Sequence, residues 1–225
     1  MSSGPAPVLA AELIRWSWIG DHLDDIRDYL LQHVQLTVLA VLFGLLLAFP
    51  LALAAIRWPR LYGPILGFTG MLFTIPSLAL FILLIPLTGL SISTSLIGLT
   101  MYTLLILIRN IVEGLRGVDR DVREAAEAMG FTRARQLLQV ELPLALPVII
   151  AGIRIATVTT IGLVTVTALI GQGGLGRLFI DGFTLNFTPP IIVGIVLSAL
   201  LAFAADLALV GLQHQLTPWV RSRGS

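Results

Sequence analysis

From residue 34 onward the chain carries five long apolar runs separated by polar segments of unequal length. They cover approximately residues 34–56, 62–87, 92–112, 148–170 and 189–213. At about 1.5 Å per helical residue, each is long enough to cross a hydrocarbon core of about 30 Å. The pattern predicts an all-α membrane protein whose transmembrane domain, 34–213, has five spanning helices. Proline interrupts two of the runs. Pro50 lies within the first and is a kink site. Pro76 lies near the middle of the second, and Thr74-Ile75-Pro76-Ser77 is expected to break the helix and free backbone carbonyls at membrane depth. Such a break survives only beside protein or a water-lined path. Thr74, Pro76 and Ser77 are therefore candidate gate or pathway residues.

Residues 1–33 have a different character. Residues 1–11 are rich in Pro, Ala and Ser and are expected to be loose. They lack a basic start, so no cleavable signal peptide is read there. Trp16 and Trp18 suit a membrane interface. Asp21, Asp24, Asp25 and Asp28 accompany Leu23, Ile26, Tyr29 and Leu30, the pattern of an amphipathic helix leading into the membrane. Its acidic side is either a solvated face or a contact surface for an external partner.

The longest polar stretch, 113–147, separates the third and fourth runs, and its second half reads EAAEAMGFTRARQLLQVELPLALP from Glu124 to Pro147. Asp121-Val122-Arg123-Glu124 fits a capping box, which predicts a helix starting near Val122. Gly130 supplies the left-handed conformation that ends it. Thr132 then caps a second helix, and Pro143 and Pro147 punctuate its exit into the fourth run. The expected product is a helix-turn-helix elbow projecting from the bundle. Small residues at Ala125 and Ala126 keep its first helix thin enough to enter a groove on another protein. The alternative is a surface hairpin that binds nothing.

Charge orients the bundle. With five crossings and the elbow in the cytoplasm, Arg57, Arg60, Arg109, Arg116, Arg120, Arg123, Arg133, Arg135, Arg221 and Arg223 lie inside, and Arg15, Arg27 and Arg177 lie outside. That is the positive-inside arrangement. Splitting the second run at Pro76 into two crossings would export Arg57 and Arg60. The N-terminus is accordingly expected outside and the tail, 214–225, inside.

Composition then excludes several classes. A chain of 225 residues fits one domain. Its hydrophobic share of 56%, charged share of 12% and mean hydropathy of +0.95 mark an integral membrane protein. A net charge of +1 gives no reason to expect nucleic acid. There is no Cys, and His22, His33 and His214 are scattered, so neither a disulfide framework nor a metal site is expected. Every basic residue is Arg. Without Lys the chain cannot hold a Walker A phosphate loop. Any ATP hydrolysis, with its Mg, must belong to a partner, and the chain itself is expected to be no enzyme.

Within the runs, few polar groups stand out. A lone ionised Asp206 would cost about 2.5–3.5 kcal/mol in a membrane, so it should be paired. Arg154 matches its depth and makes a candidate structural ion pair, with Arg109 second. Thr157, Thr160 and Thr167 share one face of the fourth run, which Gly171 extends; such residues suit a pore lining or helix packing equally. The following stretch, Gly171-Gln172-Gly173-Gly174-Leu175-Gly176-Arg177, permits turns and close backbone approach. No strand precedes it, which argues against phosphate binding. Thr157, Thr160, Gly171, Gly173 and Gly174 join the pathway candidates. Residues 175–182 suit a short interfacial helix, and Thr188-Pro189 suits a cap and first turn for the last span. Gly194, Ser198 and Ala202 form a small-residue ridge.

The run from Glu124 through Gly130 to Leu142-Pro143 resembles the EAA loop of the membrane subunit of type I ATP-binding-cassette importers. The resemblance implies a MetI-like permease fold. It also implies that Glu124, Ala125, Ala126, Gly130, Leu142 and Pro143 form a cytoplasmic coupling element that docks into the ATPase. Ala168-Leu169-Ile170-Gly171-Gln172-Gly173-Gly174-Leu175-Gly176, Thr74-Ile75-Pro76-Ser77-Leu78-Ala79-Leu80 and Gly114-Leu115-Arg116-Gly117-Val118-Asp119 are similar to the glycine betaine, choline and carnitine branch. The family pattern usually has Ala in place of Gln172. The likeness covers roughly residues 34–212. It implies a multi-pass protein of the bacterial plasma membrane and import of a compatible solute. The implied partners are a second permease subunit, a cytoplasmic ATP-binding subunit and an extracytoplasmic substrate-binding protein. Phe68, Phe73, Phe81, Tyr102, Phe179, Phe183 and Phe187 could supply a cage for a quaternary ammonium, although such a cage is expected on the binding protein. The same importer class with another small polar or amino-acid-derived substrate is the near alternative. An ATP-independent secondary transporter is the distant one, since the chain offers few intramembrane charges and no evident inverted repeat.

Overall fold

The computed structural model describes residues 15–219, and every regular element among them is helical. A short helix α1 (Trp16–Asp21) leads into α2 (Leu23–Arg57), which takes in both the predicted amphipathic segment and the first apolar run as one 35-residue helix. Nothing in residues 23–34 stops a helix, so the change from amphipathic to fully apolar passes without a joint. The loose segment expected at residues 1–11 lies outside the described residues.

The turn at Trp58 is tight because Pro59 occupies the first turn of α3 (Pro59–Thr74), where its missing N–H costs nothing. The predicted break follows. α3 and α4 (Ser77–Thr88) meet at Ile75-Pro76 with a bend of 98°. α5 (Ile92–Arg116) then returns along α2. After the elbow, α8 (Leu142–Val166) tightens into a 3-10 turn, Thr167–Ile170, and the chain ends in α9 (Gly176–Thr184) and α10 (Thr188–Leu216). Among the described residues, four helical stretches are long and apolar enough to cross a membrane, or five if the bent α3–α4 pair counts as one crossing.

Small residues set how closely these helices pack. Ala48, Ala52 and Ala55 are fully buried on one face of α2, and a Cβ added at Gly44 would land on the Thr103 side chain of α5. That stripe lets the two backbones approach, which is the main source of helix association in a lipid environment. The core stacks in three layers along the bundle. One joins Ala48, Ala52 and Ala55 to Leu107, Ile108 and Ile111 of α5 and to Ala145 and Ile149 of α8. The next joins Leu36, Phe81, Leu99, Val164 and Ile170. The third joins Ile26, Leu175 and Leu178, with Val193 and Leu197 of α10 against it. α2 and α5 therefore run parallel and α8 runs against them.

The same layering fixes the two ends of the bundle. Arg116 stacks over Tyr62 at 4.4 Å, so the start of α3 lies beside the end of α5. Thr88, at the end of α4, hydrogen-bonds Thr94 near the start of α5. The broken pair thus runs the full length of α5 despite its bend.

Two sequence expectations need correction. The fourth helix does not begin at 148: α7 (Arg133–Gln136), a π turn (Leu137–Glu141) and α8 form one continuous helical stretch, and Pro143 sits in the first turn of α8 rather than at a break. The π turn takes up the disruption, because Leu142 N–H bonds the carbonyl of Leu137, five residues back, just before the residue that has no N–H. Thr188 does not cap α10 either. It is the first residue of that helix, after Phe187, and its side chain makes no capping bond.

Candidate functional site

The elbow is built as α6 (Arg120–Ala128), a turn and α7. Its first cap is Asp119, whose carboxylate accepts the N–H of Asp121 at 3.0 Å, so the helix begins two residues before the predicted capping box. Both Asp residues suit a cap, and only the path of the chain out of α5 chooses between them. Gly130 has φ +79, as its role requires. The Phe131 N–H bonds Ala126 carbonyl and the Gly130 N–H bonds Glu127 carbonyl, the paired closure of a helix ended by a left-handed residue. Thr132 caps α7 through its hydroxyl, which accepts from Arg135 N–H at 3.4 Å.

Ala125 and Ala126 do not share a face. Ala126 is 1% exposed and is the one buried residue of α6, while Ala125 is exposed. The surface of α6 carries Val122, Ala125 and Met129 at helical spacing, and Met129 is 68% exposed. Glu124 is also exposed, bound to Arg120 one turn earlier at 2.6 Å. Leu142 and Pro143 are half-buried behind the elbow at the root of α8. The apolar stripe, not the Ala-Ala pair as a unit, is what this element offers outward.

At the break in the second span, Tyr102 of α5 donates its hydroxyl to the carbonyl of Ile75. Thr74 donates to Met71 carbonyl at 2.7 Å. Two carbonyls at the end of α3, those of Met71 and Ile75, are thus satisfied by protein side chains. Pro76 is exposed and Ser77 half-buried.

The opposite end holds the glycine loop. Gly171, with φ +82, ends the 3-10 turn and is exposed. Gly173 and Gly174 are buried. A Cβ on Gly174 would lie 2.6 Å from Tyr29 carbonyl oxygen and 2.7 Å from His33 N. Gln32 of α2 accepts the Gly174 N–H at 3.0 Å and donates to Gln172 at 3.3 Å, and the buried His33 ring bonds Ile161 carbonyl at 3.0 Å. These glycines pack the loop against α2. Thr160 is likewise buried, donating to Ala156 carbonyl at 2.7 Å. In this conformation Thr160, Gly173 and Gly174 present no surface to a pathway. Thr157 does: it is half-buried in a groove of 340 Å³ between α2, α8 and α10, lined also by Thr37, Val38 and Ala205.

Arg154 and Asp206 form a bidentate pair, Nε to Oδ1 and the second guanidinium nitrogen to Oδ2, each at 2.8 Å. Both side chains are 31% exposed and open on a groove with Ala151, Ile155, Val158 and Thr159. Arg109, the second candidate, instead meets Glu113 on its own helix at 3.4 Å. The aromatic residues do not converge. Phe81 is buried, Phe73 meets Tyr102 edge-on, Phe187 meets Trp18, and Phe68 and Phe183 are exposed.

Sequence reasoning missed the residues that hold the elbow in place. Arg123 donates to Leu115 carbonyl at 2.6 Å and faces Glu141 at 3.8 Å, and Glu141 accepts from the buried Gln136 at 3.1 Å. No spacing rule links these positions before the fold is known.

Comparison with known proteins places this architecture. The family model described as the binding-protein-dependent transport system inner membrane component matches residues 35–221. The choline transport system permease protein OpuBB of Bacillus subtilis is 38% identical over 187 residues, 83% of this chain and 86% of that one. The glycine betaine/carnitine/choline transport system permease protein OpuCD of Bacillus subtilis is 35% identical over 212 residues, 92% and 93% of the two chains. The osmoprotectant import permease protein OsmW of Salmonella typhimurium is 38% identical over 192 residues, 83% and 89%. Inward-facing structures of the MetNI methionine ABC transporter share the fold at 20% identity, with a TM-score of 0.79 over 88% of this chain and 98% of that one. The chain is a multi-pass, all-helical membrane protein. A match across nearly the whole bundle, carried by relatives well above chance identity, makes the chain a member of the family of binding-protein-dependent transport system inner membrane components.

Proposed function

We propose that this chain is the permease subunit of an ATP-driven importer for a compatible solute of the quaternary ammonium class, such as glycine betaine, choline or carnitine. The observation that carries the reading is the elbow. It presents an apolar stripe of Val122, Ala125 and Met129 to solvent at the end of the bundle where Arg57, Arg60 and Arg116 also cluster. A short helix with an exposed apolar face is what a groove on another protein accepts. Two of the relatives named above are called permeases for choline or for glycine betaine, carnitine and choline, and the third an osmoprotectant import permease; these names supply the substrate class.

In this reading the elbow end is cytoplasmic, the N-terminus is outside, and the α3–α4 pair is a single broken crossing, giving five. The length of α5 that the pair follows supports one crossing. The arginine cluster supports the orientation. A cytoplasmic ATP-binding subunit holds ATP and Mg and closes on the elbow. A second permease subunit completes the path, and an extracytoplasmic binding protein delivers the solute. α10 fits such a setting, since Ile195, Val196, Leu200, Phe203 and Leu207 are exposed along it and must meet lipid or another subunit. No chemistry falls to this chain.

Reconstitution tests the reading. The chain, its ATPase and its binding protein are placed in liposomes, and ATP-dependent uptake of labelled glycine betaine, choline and carnitine is measured. Uptake of at least one that needs all three proteins is expected. Uptake independent of ATP would overturn the importer reading. ATP-dependent uptake restricted to a solute with no quaternary ammonium would overturn only the substrate class.

A further inference from the structure

α6 has little of its own to hold it. One residue, Ala126, is buried, and the segment is tied to the bundle through short turns on either side. Its ion pair with solvent-facing partners, Arg120 to Glu124, is 87% and 58% exposed and local, so it adds almost nothing to rigidity. An element that receives a push needs a stiffer connection than this.

Arg123 supplies a connection of another kind. Its guanidinium reaches back to Leu115 carbonyl in the last turn of α5, where carbonyls lack helical partners. Its Nε faces Glu141 at 3.8 Å, an ion pair without a hydrogen bond, and the pair is 34% and 19% exposed, far drier than Arg120–Glu124. Glu141 in turn accepts from Gln136, which is 6% exposed. Three side chains thereby join the end of α5, the middle of α6, the end of α7 and the root of α8.

The π turn makes this joint possible. In a regular α-helix, residues five apart point roughly 140° away from each other, at 100° per residue. Gln136 and Glu141 are five apart and hydrogen-bonded at 3.1 Å. The wider turn at Leu137–Glu141 brings them to one side, toward Arg123. Pro143, which removes an N–H just beyond, keeps the stretch from relaxing into a regular helix.

We infer that Arg123, Glu141 and Gln136, set by the π turn, form the mechanical joint that makes the elbow move as one body with the inner ends of α5 and α8. The inference rests on the elbow being the ATPase-docking element. The three are positioning residues: they bind neither solute nor ATP, and their role is to deliver elbow motion to the bundle. Losing the joint should leave docking intact and waste ATP.

The test uses the full complex in liposomes with the wild type, Glu141→Gln and Arg123→Gln. Solute taken up per ATP hydrolysed is the readout, beside co-purification with the ATPase. Each variant is expected to co-purify normally, hydrolyse ATP, and lose about tenfold in uptake per ATP, the size of a typical coupling free energy. Because the chain has no native Cys, a Arg123→Cys/Glu141→Cys double variant can be joined by a short thiol cross-linker. Cross-linking is expected to restore uptake per ATP. Unchanged stoichiometry in Glu141→Gln, or no recovery on cross-linking, would overturn the joint. So would loss of co-purification in both variants, which would make the clasp a folding element. A wild-type chain that couples normally beside such results leaves the importer reading standing; a wild-type chain that never binds an ATPase removes the reading itself.

Discussion

Gly171 and Gly174 lie three residues apart in one loop, both at positive φ, +82 and +47. Replacing each with Ala separates two costs that usually travel together. A Cβ at Gly171 meets nothing within 4 Å, so Gly171→Ala carries only the left-handed backbone penalty, about 1 kcal/mol. A Cβ at Gly174 meets backbone atoms of α2, Tyr29 O at 2.6 Å and His33 N at 2.7 Å, which cannot swing away as a side chain would. Relief requires the loop to lift from α2, with overpacking of about 1–3 kcal/mol. Lifting also breaks the 3.0 Å bond from Gly174 N–H to Gln32, worth about 1 kcal/mol net. The expected gap between the variants is therefore about 2–4 kcal/mol, or roughly 4–16 °C in thermal midpoint for a chain of this size. Thermal unfolding of the two purified variants in detergent, side by side with the wild type, measures it. Equal midpoints for Gly171→Ala and Gly174→Ala would refute close packing of the loop on α2.

Ala125→Arg is expected to abolish co-purification with the ATPase while insertion and yield stay normal, whereas Ala126→Arg, at a buried position, should lower yield of the folded subunit itself; identical behaviour of the two would contradict the facing of α6. For Arg154→Met and Asp206→Leu, each single change should reduce the yield of assembled complex more than the double change, because either one alone strands a charge. Strictly additive losses would show the pair to be energetically idle. In the otherwise Cys-free chain, Leu90→Cys should react with an impermeant thiol reagent in intact cells, and Gly117→Cys only after the cells are opened; the reverse pattern would invert the proposed orientation. Tyr102→Phe should cost about 1–3 kcal/mol of stability, since it leaves the Ile75 carbonyl unpaired at the helix break, and a thermal midpoint equal to wild type would argue against that bond.

Much of the site was legible because local chemistry demands it. Gly130 stood out since a left-handed helix stop excludes most side chains, and Pro76 since it cannot continue a helix. Arg154 and Asp206 are 52 residues apart, yet depth counted by helical rise and the cost of a lone membrane charge were enough to bring them together. Other features have no local signature. Asp119 and Asp121 are chemically equal as caps, and the path leaving α5 selected the first. Ala125 and Ala126 are identical residues, and only the docking of α6 on the bundle buries one and leaves the other exposed.

Element type and membrane character were determined by the sequence alone, because hydrophobic run length and the positions of Pro and Gly act within a few residues and need no fold to be read. What only the tertiary structure decided is which neighbours those residues meet. The π turn ahead of Pro143, the clasp of Arg123 with Glu141 and Gln136, and the burial of Gly174 against α2 all depend on contacts between helices distant in sequence. Periodicity cannot report these, since a residue that packs and a residue that faces a path obey the same hydrophobic pattern until the helices are brought together.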